Sequence, residues 1–141
     1  MVRPMTDAQH DNHLTALDMT IVSASSSEVV IRWQVSSKHR QPHGIVHGGV
    51  YCSAIETACS VGASMSAAER TPGASAVGLE NHTSFIRAVR EGTLTATARP
   101  ITRGRTSQVW ECEVKDEQGQ ITATGRVRLL CVTPEQISKA G

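Results

Sequence analysis

Across residues 41–68 a single side chain, Glu56, carries a formal charge at neutral pH. It stands in a proline-free stretch, Val50 to Ala68, rich in Ala, Ser, Cys, Val and Met, whose apolar positions run all the way round a helical cylinder. That is the pattern of a buried helix. Burying a carboxylate costs several kcal/mol unless it is paired or neutralised, and nothing near Glu56 in sequence pairs it. Either the residue meets water or a strand arginine for structural reasons, or it is a carboxylate kept in a cleft as general base or nucleophile. Its neighbours fit the second reading. Ser53, Thr57 and Ser60 lie at i−3, i+1 and i+4, so Ser60 shares the face of Glu56 and can hold a water against it.

Just upstream, residues 43–49 read HGIVHGG. Glycines at a helix start let a substrate approach the backbone, and the unpaired N–H groups of the first turn carry the positive end of the helix dipole. Such a turn can polarise an acyl oxygen as an oxyanion hole. Alone, Gly48 and Gly49 read equally well as a tight loop-to-helix turn; with Glu56 beyond them they form a constellation. Gly48 and Glu56 are eight residues apart, a helical rise of about 12 Å, so one chain cannot bring both to the same carbonyl. If both serve one reaction, they come from two copies, and the spacing predicts a site across a two-fold interface, used twice per dimer.

Elements must hold these groups. EVVIRWQV at 28–35 alternates as a half-buried strand, preceded by a mixed stretch from Leu14 to Val22 and a turn composition, SASSS, at 23–27. A loop with Pro42, Gly44, Gly48 and Gly49 leads into the helix, and period-two strands follow at 75–88, 92–102, 106–116 and 120–132. Their short connections predict an antiparallel meander. The expected class is α+β, a curved antiparallel sheet wrapped around one long central helix. A polar tail at 1–13, one domain at 14–133 and a short tail at 134–141 complete the expected organisation.

With 141 residues the chain is one domain's worth. Fourteen basic against thirteen acidic side chains leave a net charge of +1, no general field for a polyanion or an anionic membrane. Trp33, Tyr51, Phe85 and Trp110 are too few for nucleic-acid stacking platforms. No run reaches the roughly 18 apolar residues of a membrane helix, and the first residues are too polar for a secretory signal, so a cytoplasmic protein with neither nucleic-acid nor membrane partner is expected. Cys52, Cys59, Cys112 and Cys131 form no CxxC pair and read as reduced thiols. His39, His43 and His47 recur every four residues, but Pro42 and Gly44 interrupt the segment, so no metal site is expected. Asn81-His82-Thr83 matches a glycosylation sequon without a signal peptide to deliver it.

HGIVHGGVYCSAIETACSVG, then AVGLENHTSFIRAVREG and GRTSQVWECEVKDEQGQ, resemble the hotdog-fold acyl-CoA thioesterases over about residues 17–132. The likeness is to the 4-hydroxybenzoyl-CoA thioesterase type with a catalytic glutamate, and to thioesterases of menaquinone and enterobactin pathways. The motif Q-P-x-G-x-x-H-G-G, with a glutamate eight residues past its first HGG glycine, is fairly specific. The resemblance implies hydrolysis of an aromatic or medium-chain acyl-CoA thioester by a homodimer, or a dimer of dimers, with no cofactor beyond the coenzyme A of the substrate. It implies Glu56 as the catalytic carboxylate, the Gly48 N–H as carbonyl polariser, Gln41 and His47 as orienting groups and Ser60 as holder of the water. It places the CoA arm along Gly78, along Phe85, Ile86, Arg87 and Ala88 with Arg90 beyond them, and along Thr102, Arg103, Gly104, Arg105, Thr106 and Ser107. Phe85 and His43 depart from the relatives' pattern at the acyl pocket or its rim. The alternatives are an enoyl-CoA hydratase-like enzyme, whose Asp/His dyad is absent here, and a non-catalytic acyl-CoA binder, which would gain nothing from a buried acid.

Overall fold

A computed structural model describes residues 12–139. Along the chain come α1 (His13–Ala16), β1 (Thr20–Ala24), β2 (Val29–Gln34), a 3-10 turn (Ser37–His39), α2 (Gly48–Arg70), β3 (Ser75–Phe85), β4 (Thr93–Arg103), β5 (Ser107–Lys115), β6 (Ile121–Val132) and α3 (Pro134–Lys139). The polar tail expected at 1–13 lies outside the described residues up to position 11; the one expected at 134–141 begins with α3 and is described to Lys139.

The expected α+β hotdog architecture is present. Alternation buries one face of each strand: Ile31 and Trp33 from β2, Leu94, Ala96 and Ala98 from β4, Trp110, Cys112 and Val114 from β5, Ala123, Val127 and Leu129 from β6. These side chains meet Ala54, Ile55, Ala58, Cys59, Gly62 and Ala63 on one side of α2. Small residues there let the sheet approach closely. A Cβ at Gly62 would come within 2.4 Å of the Trp110 ring, which is fully buried, so the glycine is what lets that indole approach the helix so closely.

The strand order is β1-β2-β4-β5-β6-β3, all neighbours antiparallel. The expected meander holds only for β4–β6. β3 pairs with β6 instead of β4, because residues 86–92 cross the end of the sheet, with the N–H groups of Ile86 and Arg87 both bonded to Thr122 O and Val89 O accepting from Val46 N–H. β3 stops at Phe85, three residues before the strand expected from sequence, where that crossing begins. It is thereby an edge strand. The mixed stretch after Leu14 becomes α1 and β1.

All four cysteines are unpaired thiols, and Cys59 and Cys112 are buried. Burial pushes both thiols up, Cys112 to about 12, so neither forms a thiolate near neutrality. Both are expected to resist alkylation in the native protein and to react on denaturation, as mass spectrometry of the labelled chain would read.

Among the described residues no helix is long and apolar enough to cross a membrane.

Candidate active site

The sheet covers one side of α2. The other side presents Cys52, Ser53, Glu56, Thr57, Ser60 and Val61, which with His13 from α1 line a groove of about 390 Å³. Glu56 is therefore exposed on the single chain, against the sequence expectation of a helix buried all round. The physical reason is that alanine, serine, cysteine and threonine suit a packed face and a half-open one alike, so their distribution does not reveal an uncovered stripe. Interior burial of an acid accordingly does not single out Glu56; its place in the groove does.

The carboxylate lies against the backbone of β3. A Cβ at Gly78 would come within 2.5 Å of Glu56 Oε1, so only glycine leaves the carboxylate where it is. Gly78 borders the irregularity between Gly78 and Glu80, where β3 shifts register against β6. Next to it Asn81 Nδ2 donates to Cys52 O at 3.0 Å and Thr83 Oγ1 donates to Asn81 Oδ1 at 2.6 Å, fastening β3 to α2 beside the groove. The sequon asparagine thus has a structural use. Ser60 lines the same groove one turn beyond Glu56, as its spacing required.

A second group of residues gathers at the start of α2. His47 caps the helix, its Nδ1 accepting from Gly49 N–H at 2.8 Å. Its own N–H donates to the carbonyl of His39, whose buried ring accepts from Ser36 N–H at Nδ1 and donates from Nε2 to Leu17 O at 2.7 Å. The Gly48 N–H has no partner among the described residues. Gln41 closes the preceding turn: its side-chain oxygen accepts from His43 N–H, and its backbone bonds Ile45 and Gly44. The rings of His39 and His47 therefore bond different backbone groups, His43 is engaged through its backbone, and no cluster of three metal-ligating side chains occurs among the described residues.

Phe85 closes over this turn. Its ring atom Cζ lies 2.5 Å from where a Gly48 Cβ would stand, and the ring tilts on Tyr51 at 6.1 Å, which in turn meets Trp33 edge-on at 6.3 Å. Burial raises the Tyr51 phenol above its usual pKa and keeps this aromatic wall neutral. Phe85 itself is 58% exposed, leaving one ring face open.

The arginines divide by what they touch. Arg90 donates to His43 O at 2.9 Å and Arg103 to Ser26 O at 3.0 Å, so both brace loops. The side chains of Arg87 and Arg105 have no hydrogen bond or ion pair among the described residues. Ile86, Arg87 and Ala88 are exposed just past β3, near the start of α2. Gly104, Arg105 and Thr106 line a cavity of about 290 Å³ with Ser66, Arg70 and Cys131, and Thr102, Arg103 and Ser107 flank that turn. The two segments sit at opposite ends of α2, whose 23 residues span roughly 34 Å. His13 escaped the sequence reading altogether. A histidine in a polar stretch carries no signal until α1 folds it onto α2.

The sheet wrapped on one long helix coincides with a known family. Residues 43–123 match the thioesterase superfamily. A Mycobacterium tuberculosis protein named provisionally as an esterase is 40% identical over 95 residues, 67% of this chain and 68% of its own, and its structure superposes with a TM-score of 0.80 at 32% identity over 85% of this chain and 95% of that one. The 1,4-dihydroxy-2-naphthoyl-CoA hydrolase of Listeria monocytogenes is 34% identical over 110 residues, 78% of this chain and 87% of that protein. A thioesterase of Haemophilus influenzae superposes with a TM-score of 0.79 at 29% identity, covering 86% and 82% of the two chains. The chain belongs to the thioesterase superfamily, and is a hydrolase of that family.

Proposed function

We propose that the chain hydrolyses an acyl-CoA thioester with an aromatic acyl group, in a site built by two copies. The observation that carries this reading is the division of the constellation. Glu56 and Ser60 line the groove, with Gly78 against the carboxylate, whereas the Gly48 N–H, which has no partner among the described residues, lies with Phe85 about 12 Å away along the same helix. The two candidate CoA segments lie farther apart still, at opposite ends of α2.

A two-fold axis perpendicular to β3, beside its free edge, removes both separations. β3 is an 11-residue edge strand with exposed Val77 and Leu79, and an unpaired edge of that length invites pairing. Antiparallel pairing of two β3 strands sets the start of one α2 beside the middle and end of the other. Gly48 and Phe85 of one copy then face Glu56 of the second, and Arg87 of one approaches Arg105 of the second. The same pairing covers the groove and withdraws Glu56 from bulk water, which strengthens its interactions with substrate. A second pairing of dimers would give the tetramer that the family resemblance implies, and light scattering reads it directly.

In this site water lies between Glu56 and Ser60. As the oxygen attacks the thioester carbon, Glu56 takes a proton from the water and the carbonyl oxygen gains charge against the Gly48 N–H of the second copy. The tetrahedral adduct collapses by breaking the C–S bond, and the CoA sulfur leaves with the proton from Glu56. Acid and thiol are the products, and the carboxylate is regenerated. The exposed ring of Phe85 and the groove wall suit a flat ring. The hydrolase from Listeria monocytogenes, named for a naphthoyl-CoA, supports an aromatic acyl group by likeness.

Thiol release from benzoyl-, short-chain and long-chain acyl-CoA tests the proposal. Turnover fastest with aryl-CoA is expected. A folded, dimeric protein that releases thiol from none of them refutes it. Arg87→Ala and Arg105→Ala are expected each to raise KM several-fold with kcat nearly unchanged, because a phosphate contact remote from the carbonyl binds ground state and transition state alike. Arg103→Ala, whose guanidinium is engaged with Ser26 O, should affect KM less.

A further inference from the structure

The groove beside Glu56 has an imidazole in its wall that no element of the proposed hydrolysis uses. Asn12 caps α1, accepting from Leu14 and Thr15 N–H at 3.0 and 3.2 Å, while Leu14 and Leu17 pack against the core. Leu17 O is further held by His39. The short helix is thus fixed at both ends, and it delivers His13 to the outer face of α2, where Nε2 lies 2.8 Å from Ser53 Oγ. Ser53 Oγ is also 2.9 Å from Gly49 O. A carbonyl can only accept, so the serine proton goes to Gly49 and the imidazole Nε2–H donates to the serine. In the neutral ring Nδ1 then keeps a lone pair, and no described residue supplies it with a donor. A partner for that nitrogen must bring its own proton.

Ser53 precedes Glu56 by three residues, about 4.5 Å along the helix axis, close to the width of a six-membered ring. Val61 supplies an apolar wall in the same groove. We infer that His13, held by Ser53, is a specificity-determining residue: its Nδ1 accepts a hydrogen bond from a hydroxyl on the ring of an acyl group whose thioester carbonyl lies at Glu56. The inference rests on the hydrolysis proposed above and adds the feature of the acyl group that is read. His13 lies outside residues 43–123, the span matched by the family model.

The test compares kcat/KM for benzoyl-CoA with that for 3- and 4-hydroxybenzoyl-CoA in the wild type, His13→Ala, His13→Phe and His13→Gln. A wild-type preference for one of the hydroxylated substrates on the order of tenfold is expected, since a site built to pair a hydroxyl discriminates against the analogue lacking it. In His13→Ala the ratio should fall to within about twofold of unity while benzoyl-CoA turnover stays near wild type. Glutamine, which can donate to Ser53 and accept at its oxygen, should restore most of the preference. Phenylalanine keeps the ring and should not, which separates recognition from the docking of α1. A wild type without hydroxyl preference, or a His13→Ala variant that retains it or loses all substrates equally, overturns the role of His13 while leaving hydrolysis standing. A wild type that releases thiol from no acyl-CoA overturns both.

Discussion

Glu56→Gln is expected to lower kcat by roughly 10²- to 10⁴-fold, the usual worth of a positioned general base, with little change in KM. Glutamine has nearly the shape of glutamate, so the close approach to Gly78 and the groove beside Ser60 are kept. Its amide cannot take a proton from water. Because Glu56 is exposed on the single chain and makes no ion pair among the described residues, the substitution should alter chain stability by no more than about 0.5 kcal/mol. Steady-state kinetics with an aryl-CoA, alongside a thermal melt, separates loss of chemistry from loss of fold. Wild-type turnover in the variant would remove Glu56 from the reaction.

Mixing two inactive variants is expected to restore activity. Gly48→Pro removes the N–H proposed to bind the oxyanion at a position where proline is well tolerated, the first residue of a helix. The preceding residue, His47, already has φ −64° and ψ 135°, the extended conformation that a residue before proline requires. Phe85, the neighbour a proline ring would meet, is largely exposed and can swing aside. Glu56→Gln and Gly48→Pro homodimers should each be close to inactive. After unfolding and refolding together at equal concentration, half of the dimers are mixed, and each mixed dimer has one site with an intact glutamate from one chain and an intact amide from the other. About one quarter of wild-type activity should return, a recovery of many-fold over either parent. If both groups serve the reaction from one chain, every site in every dimer carries a defect and nothing returns. That outcome would refute the shared site while leaving the hydrolase in place.

The candidate site could be picked out because it resides in residue types and a spacing. An isolated acid eight positions past a histidine-glycine turn is a one-dimensional feature, and the fixed rise of a helix converts it into a distance. The strands were legible for the same reason, since alternation reports which face is buried. β3 was misplaced in the sheet because period two specifies a strand without specifying its neighbour. Only the crossing at residues 86–92, tied to Thr122 and Val46, puts it at the edge. The open stripe on α2 was invisible because small residues pack or face water with nearly equal ease. Arginines spelled identically in sequence proved to have different work, Arg90 and Arg103 on backbone carbonyls, Arg87 and Arg105 without a partner among the described residues.

By itself, then, the sequence determined the α+β class, the long helix and the mismatch between Gly48 and Glu56, all of which follow from periodicity and helix rise. Tertiary structure decided that the helix is half-covered, that Gly78 lies against the carboxylate, that Phe85 closes over the Gly48 turn and that His13 reaches Ser53 across 40 positions of chain. Contacts of that kind depend on how separate elements stack in space, and no local pattern encodes a meeting between residues so far apart in the chain.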